Sequence, residues 1–479
     1  MNITVVGGGT AGWIFTYFLV NSEENVNVTV IESSKIGIIG AGEGSTGTLI
    51  DLLTGKYFPK KIDLEYFKEQ TSATNKHGIY HQNWNGDGKG YFAPLDGTES
   101  SAAWEDFIFK HVLANYGKEK LHLASYAGLQ YEVQNWIPTH AFHFDGHQVG
   151  EFFKKECIKD GVKIIDDSVK HVEVYNEEID HIVLTDNSKI TADLFVDCTG
   201  FARVLSKKQG IKWQSCSDVL PVNTAIPFTK KWKDSDNFFA MTKATALSSG
   251  WMWEIPLQTR KGCGYVFDNR FISIENAQRE VEEYLGEAID PIKIINFESG
   301  FVEKFWHKNC ISFGLSSGFF EPLEATSIHS TIIQSAYFFK NFWNSDSNKL
   351  FSQENQISYN RQIQYYYKTI LDFISFHYLT QRKDSSFWKY MNENRVGTEF
   401  AKQLRDKSKN TIASIFDVIG GYGSPNVSLY NWIAAGLGII TQEQAIEEIE
   451  KSLYKKTAAH QFEKIFLEEA VNKKGNIYY

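Results

Sequence analysis

Along the chain, apolar positions come first in short runs and later at helical spacing. "ITVVGG", "GTAGWIFTYFLVN" and "VNVTVIES" predict a strand, a glycine turn opening a helix, and a second strand. Further strand signals follow in "GVKIIDDSVKHVEVYN", "HIVLTD" and "DLFVDCTG", and residues 203–320 mix strand-like runs with polar turns. From Ser327 the period lengthens: "IHSTIIQSAYFFKNFW", "QISYNRQIQYYYKTILDFISFHYL" and "TQEQAIEEIEKSLYKK" predict long helices. The chain carries no repeat, no low-complexity tract and no Pro/Gly linker. The pattern therefore predicts an α/β opening within an α+β whole, interleaved with a β-rich part, with helices at the C-terminal end.

Composition narrows the class. With 42% hydrophobic and 15% aromatic residues among 479, the chain can bury a large core. Lys plus Arg number 49 against 58 Asp plus Glu, a net charge of −9, so no basic face for nucleic acid is expected. The Lys60-Lys61 run reads as a solvated face. No apolar run reaches the ~18 residues of a membrane span, and the N-terminus shows no leader pattern. Cys157, Cys198, Cys216, Cys263 and Cys310 are scattered without a CxxC pair, which suits a reducing cytoplasm and predicts neither disulfides nor a metal site.

"VVGGGTAGW" sets Gly7, Gly9 and Gly12 in a G-x-G-x-x-G pattern directly between strand and helix. The first glycine makes the turn, the second admits a pyrophosphate, and the third lets helix and strand pack. The helix N-terminus then faces the phosphates. Glu32 closes the next strand about 20 residues on, where an acid holds a ribose hydroxyl. Asp197 and Gly200 follow a later apolar strand, as in chains whose long cofactor is FAD, so FAD is favoured over NAD.

"GGGTAGW" at 7–13, "KHGIYHQNW" at 76–84, "WMWEIP" at 251–256 and "FFEPLEAT" at 319–326 resemble the flavin-dependent halogenases, the family that includes tryptophan halogenases. "AFHFD" at 141–145 and "DFISFHYLTQRKDSSFW" at 372–388 resemble the same family, so the likeness runs to about residue 390. It implies a Rossmann-like FAD-binding domain of the flavin monooxygenase type over residues 1–330. Inserted β-rich substrate-site segments would occupy about 50–140 and 205–300, with a mainly helical portion, 331–479, over the substrate site. It also implies reduced FAD from a separate flavin reductase, a halide ion and an electron-rich aromatic substrate. Thr10, Ala11, Gly42 and Gly44 join the implied cofactor contacts. The protein would be bacterial or from a marine phage and work in the cytoplasm, the host's if viral, with a homo-oligomeric state left open.

In such enzymes hypohalous acid reaches a lysine beside the substrate, and Lys76 matches it. By burial statistics alone Lys76 would be a surface residue. Glu324 matches the catalytic glutamate; facing Lys76 in a dry cavity, each would offset the other's desolvation. An adjacent ionised Glu324 would raise the lysine pKa above ~10.4, favouring an ammonium that donates to the oxidant. Glu321 reads as a structural carboxylate on backbone amides. Thr326 and Ser327, at a helix start, match a halide position that in the family uses Thr-Gly; plain N-capping is the alternative. Ser327 in place of glycine alters that pocket, which could shift preference from chloride toward bromide or iodide. Trp251 and Trp253 would wall the flavin from the substrate, or else be ordinary strand tryptophans.

Two departures bear on the substrate. Ala93 stands where tryptophan-specific members carry a stacking histidine, and only Tyr430 partly fits an amino-acid clamp. Free tryptophan is therefore not the expected substrate. The competing readings are an FAD-dependent aromatic hydroxylase and a non-catalytic FAD-binding protein.

Overall fold

The computed structural model describes residues 1–22, 26–37, 42–95, 102–121, 141–234, 236–344, 347–394 and 396–452. Its organising element is a six-stranded sheet in the order Trp306–His307, Cys310–Ser312, Leu194–Asp197, Asn2–Val6, Asn27–Glu32, Lys163–Asp166. Five strands run parallel, and the Trp306–His307 edge is antiparallel. Asn2–Val6 lies between two parallel partners and is buried along Ile3–Val6, as its unbroken apolar run requires. Val6 pairs with both Ile31 and Asp197, so the strand ends that carry the glycine turn, Glu32 and the Asp197 turn share one edge.

Helix Thr10–Val20 is buried from Gly12 through Leu19, which explains its lack of a polar stripe. It packs against helix Gly146–Lys159 on one side and helix Thr326–Asn341 on another. Phe15 against Phe339 (5.5 Å) and Phe18 stacked on Phe339 (5.6 Å) hold the latter contact. The first helix of the chain is thus keyed to one that lies far along the sequence.

A seven-stranded mixed sheet forms the second layer, in the order Ile295–Asn296, Thr224–Lys230, Lys261–Phe267, Gly250–Pro256, Thr242–Ala246, Gly78–Gln82, Gly90–Pro94. Its faces separate by strand periodicity: Trp251 and Trp253 enter the main core, and Met252 enters a cluster with Phe228, Tyr265 and Phe267. A small sheet of Glu43–Gly44, Ala141–Phe144 and Thr74–Lys76 bridges the two large ones. One main core runs from Ile3 to residues of the C-terminal helices, including Ile433.

The expected elements are present, with two differences. The stretch expected to be β-rich at about 50–140 also holds helices Gly47–Leu53, Leu64–Thr71 and Ala102–Tyr116. A boundary at 330 falls inside helix Thr326–Asn341, whose apolar side belongs to the main core. Helix Gln353–His377 is capped by Ser352 and runs 25 residues, delivering His377 at its end. The "TQEQAIEEIEKSLYKK" pattern is helical over Gln442–Lys451; its residues after 452 lie outside the described residues.

Candidate active site

The glycine turn is shaped for a dinucleotide. Gly7 has φ +114°, and a Cβ there would stand 2.1 Å from the Cys198 carbonyl oxygen. A Cβ on Gly12 would stand 2.0 Å from the Gly7 carbonyl oxygen, so helix and strand touch through backbone. Gly9 is the helix N-cap, makes no side-chain cap, and has nothing within 4 Å of a built Cβ. An uncapped helix start facing open space at the ends of parallel strands fits the pyrophosphate of FAD.

Other expected cofactor contacts divide. The Thr10 hydroxyl donates to the Gly146 carbonyl (2.8 Å), and Ala11 abuts Gly314. Glu32 ends its strand as expected but pairs with Lys154. Asp197 is fully buried, and its carboxylate accepts from Thr199 N and Oγ1, Leu205 N, and Ser206 N and Oγ. Those five bonds consume its acceptor capacity, so Asp197 shapes the turn that presents Gly200 and offers no free oxygen to a cofactor. Gly200, at φ +66° with nothing within 4 Å, borders open space. Gly42 and Gly44 lie elsewhere. A Cβ on Gly42 would meet Gly262, and one on Gly44 would stand 3.0 Å from Lys76 Nζ and 3.5 Å from the Ala325 Cβ.

That second contact brings the chemistry together. Lys76, 1% exposed, ends its short strand with Nζ donating to the Ser45 carbonyl (3.0 Å). Gly44 separates it from Ala325, the neighbour of Glu324. Glu324 closes a single 3₁₀ turn, Pro322–Glu324, and Ala325 at φ +55° swings the chain into helix Thr326–Asn341. The two expected catalytic groups do not touch: Lys76 turns to Ser45, and Glu324 Oε1 lies 2.8 Å from His377 Nε2. Burial outweighs the attraction of Glu324, and the lysine is pushed down to about 8. The expectation of a raised lysine pKa is thus reversed, because one carbonyl and a carboxylate out of contact do not repay the ammonium's lost hydration. Below pH 8 the ammonium still predominates, with about one lysine in ten neutral at pH 7.

Two histidines here were not anticipated. His81 is fully buried with no hydrogen-bond partner on either ring nitrogen. It stacks on Tyr91 (4.9 Å), and its Nε2 is 4.0 Å from Glu324 Oε1. Burial, and then His377, hold His81 well below the usual histidine range. His81, Glu324 and His377 place their nearest donor atoms within 4.8 Å of one another, the one such group among the described residues. The ligand types suit a divalent metal. However, 2.8 Å between His377 and Glu324 is a hydrogen-bond separation, shorter than the roughly 3.3 Å between donors sharing a tetrahedral zinc. Both histidines stand inside quoted motifs, "KHGIYHQNW" and "DFISFHYL", but only the fold makes them neighbours.

Glu321 differs from its expected role. It binds side chains: Trp251 Nε1 (3.0 Å) and Tyr378 OH (2.6 Å) both donate to Oε1. Burial pushes this carboxyl up to about 7, against the opposing pull of those two bonds. Trp251 and Trp253 are both buried, 6.2 Å apart, with Trp253 covering Gly264. At the helix start Ala325 is the N-cap, and no side chain caps the first turn. Capping by Thr326 or Ser327 is therefore absent, which leaves their N–H groups without an intrahelical partner. Ala93 is buried in register with Ile79, beside the strand of His81. Tyr430 is buried against Phe373, Phe376 and Phe400, so it is a core ring and not part of a substrate clamp.

Comparison with known proteins agrees with this geometry. The model of the tryptophan halogenase family matches residues 2–447. The tryptophan 6-halogenase SttH of Streptomyces toxytricini is 30% identical over 446 residues, 84% of this chain and 83% of that protein. The tryptophan 7-halogenase RebH of Lentzea aerocolonigenes is 29% identical over 438 residues, 84% and 81% of the two chains. The crystal structure of SttH superposes with a TM-score of 0.84 at 25% identity, covering 98% of this chain and 96% of that one.

Two tests follow from the site. Gly12→Ala should cost about 1–3 kcal/mol by crowding backbone, whereas Gly9→Leu should keep the unfolding midpoint and weaken FAD binding at least tenfold. Denaturant melts with flavin titration separate them, and unchanged FAD affinity in Gly9→Leu would refute the cradle. Lys76 should titrate near pH 8, charged below and neutral above, in spectra of isotope-labelled lysine; a titration at or above 10.5 would refute its desolvation.

Proposed function

This chain belongs to the tryptophan halogenase family, and from that premise we propose that Lys76 and Glu324 direct hypohalous acid onto an electron-rich aromatic ring. The chain is a flavin-dependent halogenase using FAD and halide; direct hydroxylation and a non-catalytic role are not favoured. Flavin-dependent halogenases act on aromatic substrates with a separate flavin reductase. Bound in reduced form, FAD supplies with dioxygen the oxidation that turns halide into hypohalous acid. No helix among the described residues is long and apolar enough to cross a membrane.

One observation carries the reading. Lys76 and Glu324, distant in sequence, are brought near one another across Gly44, which neighbours Lys76 and Ala325, the residue after Glu324; the lysine is buried and the glutamate partly accessible. Lys76 as ammonium donates to the oxygen of hypohalous acid and makes it a better leaving group. Glu324, carrying negative charge beside the ring, stabilises the cationic intermediate and takes its proton. The uncapped start of helix Thr326–Asn341 offers the N–H groups of Thr326 and Ser327 to halide. Trp251 and Trp253 wall this path, and the Trp251 bond to Glu321 fixes the first indole. Residues 1–330 would then bind flavin and halide, and the helical portion from 331 would cover the substrate, contributing His377.

Substrate class follows from what is missing. With Ala93 in place of a stacking ring, a contact worth about 0.5–1.5 kcal/mol is absent. Tyr430 is committed to the core, so no clamp for an ammonium and carboxylate is evident among the described residues. The substrate is thus an electron-rich indole or phenol selected by ring electron density and shape.

Lys76→Ala should abolish aromatic halogenation while leaving oxidation of reduced FAD and release of hypohalous acid intact; loss of flavin oxidation would break the two-site reading. In competition, indole-type or phenolic compounds should match or exceed tryptophan in kcat/KM. A hundredfold preference for tryptophan, about 2.7 kcal/mol, would reveal a clamp.

A further inference from the structure

We propose that His377 is the positioning residue for Glu324, and that the two hold one proton in common between Nε2 and Oε1. The inference rests on the reading of Glu324 as the group that takes the ring proton. It comes from counting donors. His377 Nδ1 lies 2.9 Å from the Phe373 carbonyl oxygen, which only accepts, so Nδ1 carries a hydrogen. A neutral imidazole then has a bare lone pair on Nε2. That atom sits 2.8 Å from Glu324 Oε1, and a carboxylate oxygen also only accepts. Two lone pairs do not make a contact of that length in a buried site, so a proton lies between them. The pair is imidazolium with carboxylate, or imidazole with carboxylic acid; both arrangements contain that proton.

The surroundings keep the proton on this pair. His377 is fully buried at the end of a 25-residue helix, so its ring cannot turn away without breaking the Phe373 bond. His81, the other imidazole within reach, is held neutral by burial and by His377 itself. The Tyr91 hydroxyl is buried and partnerless, with its ionisation pushed far up. Lys76 faces Glu324 from the bridging sheet, and Glu321 faces His377 from the same turn, tied up by Trp251 and Tyr378.

The arrangement selects which oxygen does the work. In the halogenation step the ring carbon bonds to halogen as the halogen–oxygen bond breaks. The departing oxygen keeps that electron pair and takes a proton from Lys76 to leave as water. The ring C–H bond then breaks, its electron pair returns to the ring, and its proton passes to Glu324 Oε2, because Oε1 is held by His377. That proton replaces in the balance the one Lys76 gave up. Without His377 the carboxylate would rotate freely or fold toward His81, and the free oxygen would no longer be aimed.

The first test is spectroscopic, on the intact enzyme with ¹⁵N-labelled histidine. A strongly deshielded proton bridging His377 should be present near neutral pH and vanish in Glu324→Gln; its absence from the wild type would overturn the proposal. The second is kinetic. His377→Asn keeps a donor but cannot exchange a proton, and should lower kcat for aromatic halogenation at least tenfold with KM within twofold and hypohalous acid release unchanged. Wild-type kcat, or an equal loss of hypohalous acid release, would make His377 merely structural and refute the assignment. Failure of the Lys76 reading would show separately, as halogenation surviving in Lys76→Ala, and the histidine spectra do not depend on it.

Discussion

Everything at this site depends on keeping the Lys76 ammonium out of water. Pushing a lysine from 10.5 down to about 8 corresponds to about 3 kcal/mol of lost stability. The sign is that of a base whose folded pKa is depressed. The penalty is complete below pH 8, shrinks as pH rises, and is gone above 10.5, where both states are neutral. A fold accepts such a cost at functional positions. The surroundings show how little is done to reduce it: one carbonyl, from Ser45, and the field of a glutamate that does not make contact. A closer carboxylate would stabilise the fold and keep the lysine charged to higher pH.

The same constraint explains the sheet arrangement. Lys76 leaves the small bridging sheet, and its next strand, Gly78–Gln82, enters the seven-stranded sheet beside Thr242–Ala246. The lysine therefore sits where two sheets meet, a place with few polar groups to spare. A Cβ on Gly44 would crowd the Lys76 ammonium at 3.0 Å and touch the Ala325 Cβ at 3.5 Å. The small residue at position 44 lets side chains from opposite halves of the chain come close around it.

Much of this was legible in the sequence, and what was not has a physical pattern. The glycine turn, Lys76, Glu324, the tryptophan strand and the long helix ending at His377 each announce themselves through local spacing or a contiguous motif. Hidden from sequence were facts about partners. Asp197 looked like a cofactor contact because its type and place were right, but five donors from residues 199–206 claim it. Glu321 looked like a structural carboxylate on backbone amides, yet it serves two side chains from distant elements. The direction of the Lys76 shift required the distance to Glu324, which no spacing encodes. Helices at 47–53 and 64–71 were missed because short helices carry too few turns to display their period.

The two glutamates of "EPLE" show how one turn divides such duties. Pro322 starts the 3₁₀ turn and Ala325 ends it at positive φ, so carboxylates three residues apart leave the chain in different directions. Glu321 goes inward, to Trp251 and Tyr378; Glu324 goes to His377 and remains partly accessible. Tyr378 and His377 are adjacent, so the end of one helix answers both glutamates at once. The same positive φ at Ala325 exposes the uncapped N–H groups of the following helix. The inward carboxylate, the outward carboxylate and the uncapped helix start are thereby set by a five-residue backbone path. A residue that resisted φ near +55° at position 325 would disturb the path of Glu324 and the helix start together, because both flank that one residue, whereas Trp251 keeps its place in the paired strand Gly250–Pro256.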